Sequence, residues 1–293
     1  MPKQPLAEVF GFPIDNLTPE AQRYRKNRLC PYNNRVPSCT KDKASDPLGV
    51  CSVYEGEVAT ITCPVRFRQD WLVAEDASQF FFPAHTHWTS LTEVRLNDKN
   101  GQSAGNIDVV LVAYDERGSV IDFGTLEVQA VYISGNVRRP FAFYMEDPPS
   151  RLGMDWSGHS LYPRPDYLSS SRKRLAPQML YKGGILHAWR KKQAVALHRT
   201  FFETLPTLPE VSVGDAEIAW LVYDLALDVT QNRWRLTRHK TVYTRFEAAL
   251  RRITVPEIGP LSAFLEHLQM RLDAKLDAEN PPDAPTLNDL SES

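Results

Sequence analysis

Asn106-Ile107-Asp108-Val109-Val110-Leu111-Val112-Ala113-Tyr114, then Asp115-Glu116-Arg117-Gly118, then a return through Val120 to Leu126-Glu127-Val128-Gln129: the fold of this chain turns on this stretch. After Asp108 the run to Tyr114 is almost unbroken apolar sequence, the signature of a buried strand. Asp115 to Gly118 reads as a turn, with Gly118 free to take a positive φ. Val120 to Ile133 returns as a second strand, interrupted at Gly124, and the two make a hairpin. Folding about the turn sets the start of the first strand opposite roughly Thr125, one or two positions from Glu127. Side chains alternate along a strand, so Glu127 and Gln129 share one face and Val128 takes the other.

Upstream, all four cysteines (Cys30, Cys39, Cys51, Cys63) fall in one short stretch with spacing Cys-x8-Cys-x11-Cys-x11-Cys. The close Cys-x2-Cys pair of common zinc modules is missing. Four clustered thiols nevertheless match the number a tetrahedral metal needs, and zinc and iron both suit a thiolate tetrahedron. Residues 1 to about 75 are rich in Pro, Asn, Arg and Cys with little periodicity, which predicts a loop-dominated module held by that metal. Within it, Thr18-Pro19-Glu20-Ala21 reads as a helix start with Thr18 as the N-cap.

Downstream, Ser169 to Leu205 reads mainly as helix divided by Pro177 and Gly183-Gly184, with an apolar stripe of Ile185, Leu186, Trp189, Ala194, Leu197 and Phe201. Strands return from Glu217 to Tyr243 about a turn near Gln231-Asn232, and a last helix covers Pro260 to Leu276. The organisation expected is a four-cysteine recognition module over 1–75, a core with basic helical elements over 76–272, and a disordered acidic tail over 273–293.

At 293 residues and a formal charge of -2, the whole molecule is not a polycation, but its charge is segregated. Eight Lys or Arg and no acid lie between Tyr167 and Phe202, which suits a polyanionic partner. No apolar run is long enough to span a bilayer and the N-terminus lacks a signal-peptide pattern, so the expectation is a cytoplasmic protein.

Hydrolysis of a phosphodiester needs activated water and a counter-charge for the transition state, and a divalent ion held by carboxylates supplies both. Mg²⁺ takes oxygen ligands and keeps several waters, so Asp108, Glu127 and the carbonyl of Val128 form a sufficient partial set, with Glu93 as a further carboxylate. Two acids on facing strands are commonplace when taken alone. Their order resembles the PD-(D/E)xK nuclease core, in which an Asp precedes Glu-x-Lys, although Gln129 stands here in the lysine position.

Longer strings carry a more specific likeness. Phe10-Gly11-Phe12-Pro13, the run from Leu29-Cys30-Pro31-Tyr32 to Cys39-Thr40-Lys41-Asp42-Lys43, Asp46-Pro47-Leu48-Gly49-Val50-Cys51, and Glu127-Val128-Gln129-Ala130-Val131-Tyr132 resemble the NotI family of type II restriction endonucleases. That resemblance implies an α+β fold: an α/β/α restriction-endonuclease-like core about a mixed central sheet, with an N-terminal metal-bound four-cysteine module. It implies iron at Cys30, Cys39, Cys51 and Cys63, with zinc as the alternative, and a Glu, Asp, Glu-x-Gln active site on Glu93, Asp108, Glu127 and Gln129. It further implies a homodimer cutting double-stranded DNA at a palindrome of the CGGCCG or GCGGCCGC type. Guanine-rich targets are read best by Arg or Lys, so the DNA-binding candidates are Arg35, Lys41, Arg172, Arg174, Arg190 and Lys192. Trp88, Trp156 and Trp189 are expected in the core, and His85, His87, His159 and His187 in structural roles. The alternative is a DNA-binding regulator whose carboxylates are incidental.

Overall fold

In a computed structural model, which describes residues 2–43 and 45–277, the N-terminal residues already build a sheet. Leu6–Val9 (β1) turns at Phe10-Gly11 into Phe12–Pro13 (β2). Pro19–Lys26 (α1) starts as its sequence predicts: the Thr18 hydroxyl accepts from the Ala21 N–H at 3.3 Å, and Pro19 lies in the first turn. Val50–Glu55 (β3) and Val58–Ile61 (β4) complete a four-stranded antiparallel sheet ordered β2-β1-β3-β4.

This region is not loop-dominated as expected. Leu6, Val9, Phe10, Val50 and Val53 are buried together with Phe141 and Tyr144 of the later helix Arg138–Glu146. The missing apolar partners are supplied from far downstream, which composition within 1–75 does not reveal. A fully buried ion pair ties the region further. Arg66 Nε donates to both Glu8 oxygens at 3.1 Å, while its Nη atoms donate to Gln69 and to the Trp234 carbonyl. A buried pair with every guanidinium nitrogen partnered is tolerated, whereas loss of one partner strands a charge.

After Leu72–Phe81 (α2) comes the main sheet: Trp88–Asn97 (β5), Ser103–Tyr114 (β6), Val120–Gln129 (β7), Gln193–His198 (β8), Ile218–Asp228 (β9) and Arg233–Thr244 (β10). The order is β10-β9-β8-β7-β6-β5. β8 runs parallel to both β7 and β9, and the other pairings are antiparallel, so the sheet is mixed as expected. α2 covers one face, where Ala77, Phe80 and Phe81 pack with Leu111, Leu126, Val128 and Leu221. On the other face, Leu175 and Met179 of a helical run over 167–188 and Phe246 of helix Phe246–Thr254 cover Val195, Leu197, Trp220 and Val222.

Two expectations for the basic segment are corrected. The helical run stops at Ala188 and helix returns only at Arg199–Glu203; between them Gln193–His198, expected within an amphipathic helix, is a strand in which every residue is buried. A short apolar run has no periodicity that separates a buried strand from a helix turn. Nor does Pro177 divide the helix. Wide π-type turns at Ser171–Leu175 and Met179–Gly183 flank it, shifting the bonding register around a residue that has no N–H to give. Trp189, expected in the core, is half exposed.

Among the described residues, those up to Thr254 form one compact unit and those from Val255 belong to a second. The second contains the predicted last helix, observed as Leu261–Leu276. The acidic tail expected from 273 begins within that helix, and 278–293 lies outside the described residues.

Candidate active site

The hairpin forms about the predicted turn, where the Asp115 side chain accepts from the Arg117 and Ser119 N–H groups and Gly118 has φ +78°. β6 and β7 pair from Tyr114↔Val120 down to Val109↔Leu126. Below that point β7 continues against β8 alone, with Glu127↔Val195 and Gln129↔Leu197. The strands fork there, and Asp108 fills the fork: its Oδ2 accepts from the Val128 N–H at 2.8 Å, replacing a ladder carbonyl. Val110, not the strand start, faces Thr125, and the register continued past Val109↔Leu126 sets Asp108 level with Glu127.

Across the other edge of β6, the pairs Thr92↔Val109 and Val94↔Ile107 bracket Glu93, which is level with Asp108 and held at φ +57°. Glu93, Asp108 and Glu127 therefore form a row across adjacent strands. Glu93 and Asp108 line one open cleft of about 990 Å³, whose wall also includes Arg35, Arg68, Trp71 and Arg174. The row does not close on a single point, since among the described residues no group of three His, Cys, Asp or Glu side chains is gathered to hold an ion.

Asp108 and Glu127 interact closely. Glu127 is buried, and burial first, then repulsion from Asp108, pushes its pKa up to about 8 against the opposing pull of Lys182. Glu127 Oε2 accepts from Lys182 Nζ at 2.7 Å, whereas its buried Oε1 has no donor. Gln129, on the same face, donates to the Gln178 side chain of the helical run, and its own Oε1 also lacks a donor. Val128 turns its side chain into the opposite core. Two convergent carboxylates and an orphaned carboxylate oxygen match the partial oxygen set that Mg²⁺ accepts. Lys182 is the residue that sequence reasoning misses. In the linear chain it stands only within a basic run, and no local pattern marks a lysine whose partner lies on a distant strand.

The four thiols, from four separate segments, line one small cavity of about 10 Å³ and form no disulfide. Burial and the neighbouring thiols raise the Cys51 pKa strongly, and burial raises Cys30 to about 11. Backbone N–H groups of Tyr32 and Asn33 point at the Cys30 sulfur and that of Lys41 at Cys39. The metal-bound module expected is nevertheless not framed, because no three of the thiols are gathered at ligand spacing among the described residues.

The expected DNA contacts divide into three groups. Arg35 is exposed at the cleft, and Arg174 lines it while lying over the Tyr132 ring. Lys41 is a strut: its ammonium donates to the Val50 carbonyl at 2.6 Å and the Thr62 carbonyl at 3.1 Å. Lys192 likewise donates to the Phe80 carbonyl and sits over that ring. Arg172 and Arg190 are exposed but do not line the cleft.

A forked strand pair presenting acids, beside a wide cleft rimmed with arginine, is the arrangement used by nucleases: acids to hold a cation, cations to hold phosphate. The family model described as restriction endonuclease NotI matches residues 8–236, which include both acid-bearing strands. The chain belongs to the NotI restriction endonuclease family, and with it to the DNA-binding hydrolases. A comparison with curated proteins finds no match. Among the described residues no helix is long and apolar enough to cross a membrane.

Proposed function

We propose that the protein is a type II site-specific endonuclease that cuts both strands of a GC-rich palindrome, of the CGGCCG or GCGGCCGC type, in an Mg²⁺-dependent reaction. The observation that carries this reading is the meeting of Asp108 and Glu127 at the strand fork, with Glu127 Oε1 buried and lacking a donor. A divalent cation held there supplies charge for the transition state and acidifies the attacking water. Asp108 is fixed for its part by the Val128 N–H, and Glu127 by Lys182. Glu93 faces the same cleft and adds negative charge from the edge strand. Gln129, pinned to Gln178, keeps the strand end in place. Arg35 and Arg174 meet the duplex along the cleft.

A palindrome has a two-fold axis, so a homodimer with the same axis sets one site on each strand. Cys30, Cys39, Cys51 and Cys63 share one cavity, and if a structural iron or zinc is bound these four thiols are the residues that would hold it. Cys39→Ser then lowers metal content and solubility, measured by elemental analysis of the purified protein.

The deciding experiment is incubation of the purified protein with long GC-rich DNA and Mg²⁺, followed by sequencing of the ends. Ends clustered at one palindrome support the proposal. Retardation of DNA without cleavage at any Mg²⁺ concentration overturns it in favour of a regulator.

A further inference from the structure

Lys182 is 3 % exposed, and a lysine is almost never buried so deeply unless its charge is matched. Both of its acceptors among the described residues belong to the fork: Glu127 Oε2 at 2.7 Å, and at 2.8 Å the carbonyl of Asn106, two residues before Asp108. The ammonium thus bridges the two strands that carry the acids. Two acceptors occupy two of its three N–H bonds, which leaves one for a water or a phosphate oxygen.

The element that delivers it is built for the purpose. Lys182 lies in the π-type turn Met179–Gly183, and such turns recur at functional sites. Four residues earlier on the same run, Gln178 meets Gln129, so one helical face stitches Gln178 to Gln129 and Lys182 to Glu127. The next residue, Gly183, packs so close to helix Phe246–Thr254 that a Cβ would lie 2.7 Å from the Phe246 ring. Its carbonyl accepts from the Gln193 side chain at 3.1 Å, which fixes the run beside the lysine.

We propose that Lys182 is the positioning cation of the cleavage site, brought by the helical run to the place that Glu127-x-Gln129 leaves without a positive charge. This rests on the endonuclease reading above. Lys182 orients the Glu127 carboxylate and offers its remaining N–H to the reacting region, so its contribution requires charge as well as hydrogen bonding.

The test compares Lys182→Gln, which keeps a donor without charge, with Lys182→Arg, which keeps both. Single-turnover cleavage of a GC-rich plasmid is measured with saturating Mg²⁺, alongside wild type and Asp108→Ala. Binding to a duplex carrying the wild-type cut site is measured in Ca²⁺. Lys182→Gln is expected to lose ~10²-fold or more in rate while binding stays within about threefold, and Lys182→Arg to recover at least about tenfold of that loss. Near-wild-type cutting by Lys182→Gln overturns the inference, as does equal loss in both variants, or loss of cleavage and binding together with no rescue by Arg. Should both variants prove unfolded by circular dichroism, the lysine is a fold determinant and the inference fails. If wild type cuts and Asp108→Ala does not, the endonuclease reading stands whatever Lys182 does. If wild type does not cut, both fall.

Discussion

Replacing Glu127 by Gln should abolish cleavage and at the same time flatten the pH dependence of stability in Mg²⁺-free buffer. Below pH 4.5 the carboxyl is protonated in both folded and unfolded chains. Above it, the unfolded chain ionises while the folded site keeps its proton until about pH 8, because burial and Asp108 oppose the charge. Stability therefore falls as pH rises through this window and levels off above it. A rise from 4.5 to about 8 corresponds to on the order of 5 kcal/mol across the window, or about 1.4 kcal/mol per pH step. Glu127→Gln has nothing to titrate, so the stability difference between mutant and wild type should grow by about 4 kcal/mol between pH 5 and 8. Lys182 faces a neutral partner in the mutant throughout and in wild type at low pH, so the slope isolates the ionisation better than the absolute level does. The assay is urea unfolding at several pH values, repeated at pH 8 with Mg²⁺, which should stabilise wild type and leave the mutant unchanged. Parallel pH profiles for the two proteins would refute the reasoning.

Four further outcomes follow from the geometry. Asp108→Ala should stop cleavage, leave DNA binding in Ca²⁺ intact, and lower stability by about 1.5–3 kcal/mol because the Val128 N–H loses a charged acceptor, which urea unfolding would register. Arg66→Met should cost about 3–5 kcal/mol by stranding the buried Glu8 carboxylate, and a double change with Glu8→Leu should recover most of it, both read from urea midpoints. Arg35→Ala should weaken DNA binding and reduce its salt slope by about 1. Lys41→Ala should instead lower the unfolding midpoint and leave the salt slope of the folded protein unchanged, since its ammonium is used on backbone carbonyls.

The acids at the fork are legible in the linear chain because the hairpin that carries them closes through a short turn whose residues announce it. Asp115 and Gly118 set the register, and the register sets Asp108 beside Glu127. The turn alone suggests an offset that the ladder does not keep, since nothing local signals that the strands fork and that a carboxylate takes the place of a carbonyl. The Thr18 cap and the return strands near Gln231-Asn232 are readable for the same local reason.

Gln193–His198, Lys182 and Arg66 are not. Whether six buried residues become helix or strand depends on the two strands they slot between, and those lie in separate parts of the chain. A lysine in a basic run becomes a buried counter-ion only when the sheet brings Glu127 beneath it, and Arg66 becomes internal only when Glu8 meets it. The sequence alone determined which acids share a strand pair, because short-range backbone bonding dictates that. Only the tertiary structure decided which cation faces them, because a long side chain takes its partner from whatever the packed sheet and helices leave within reach.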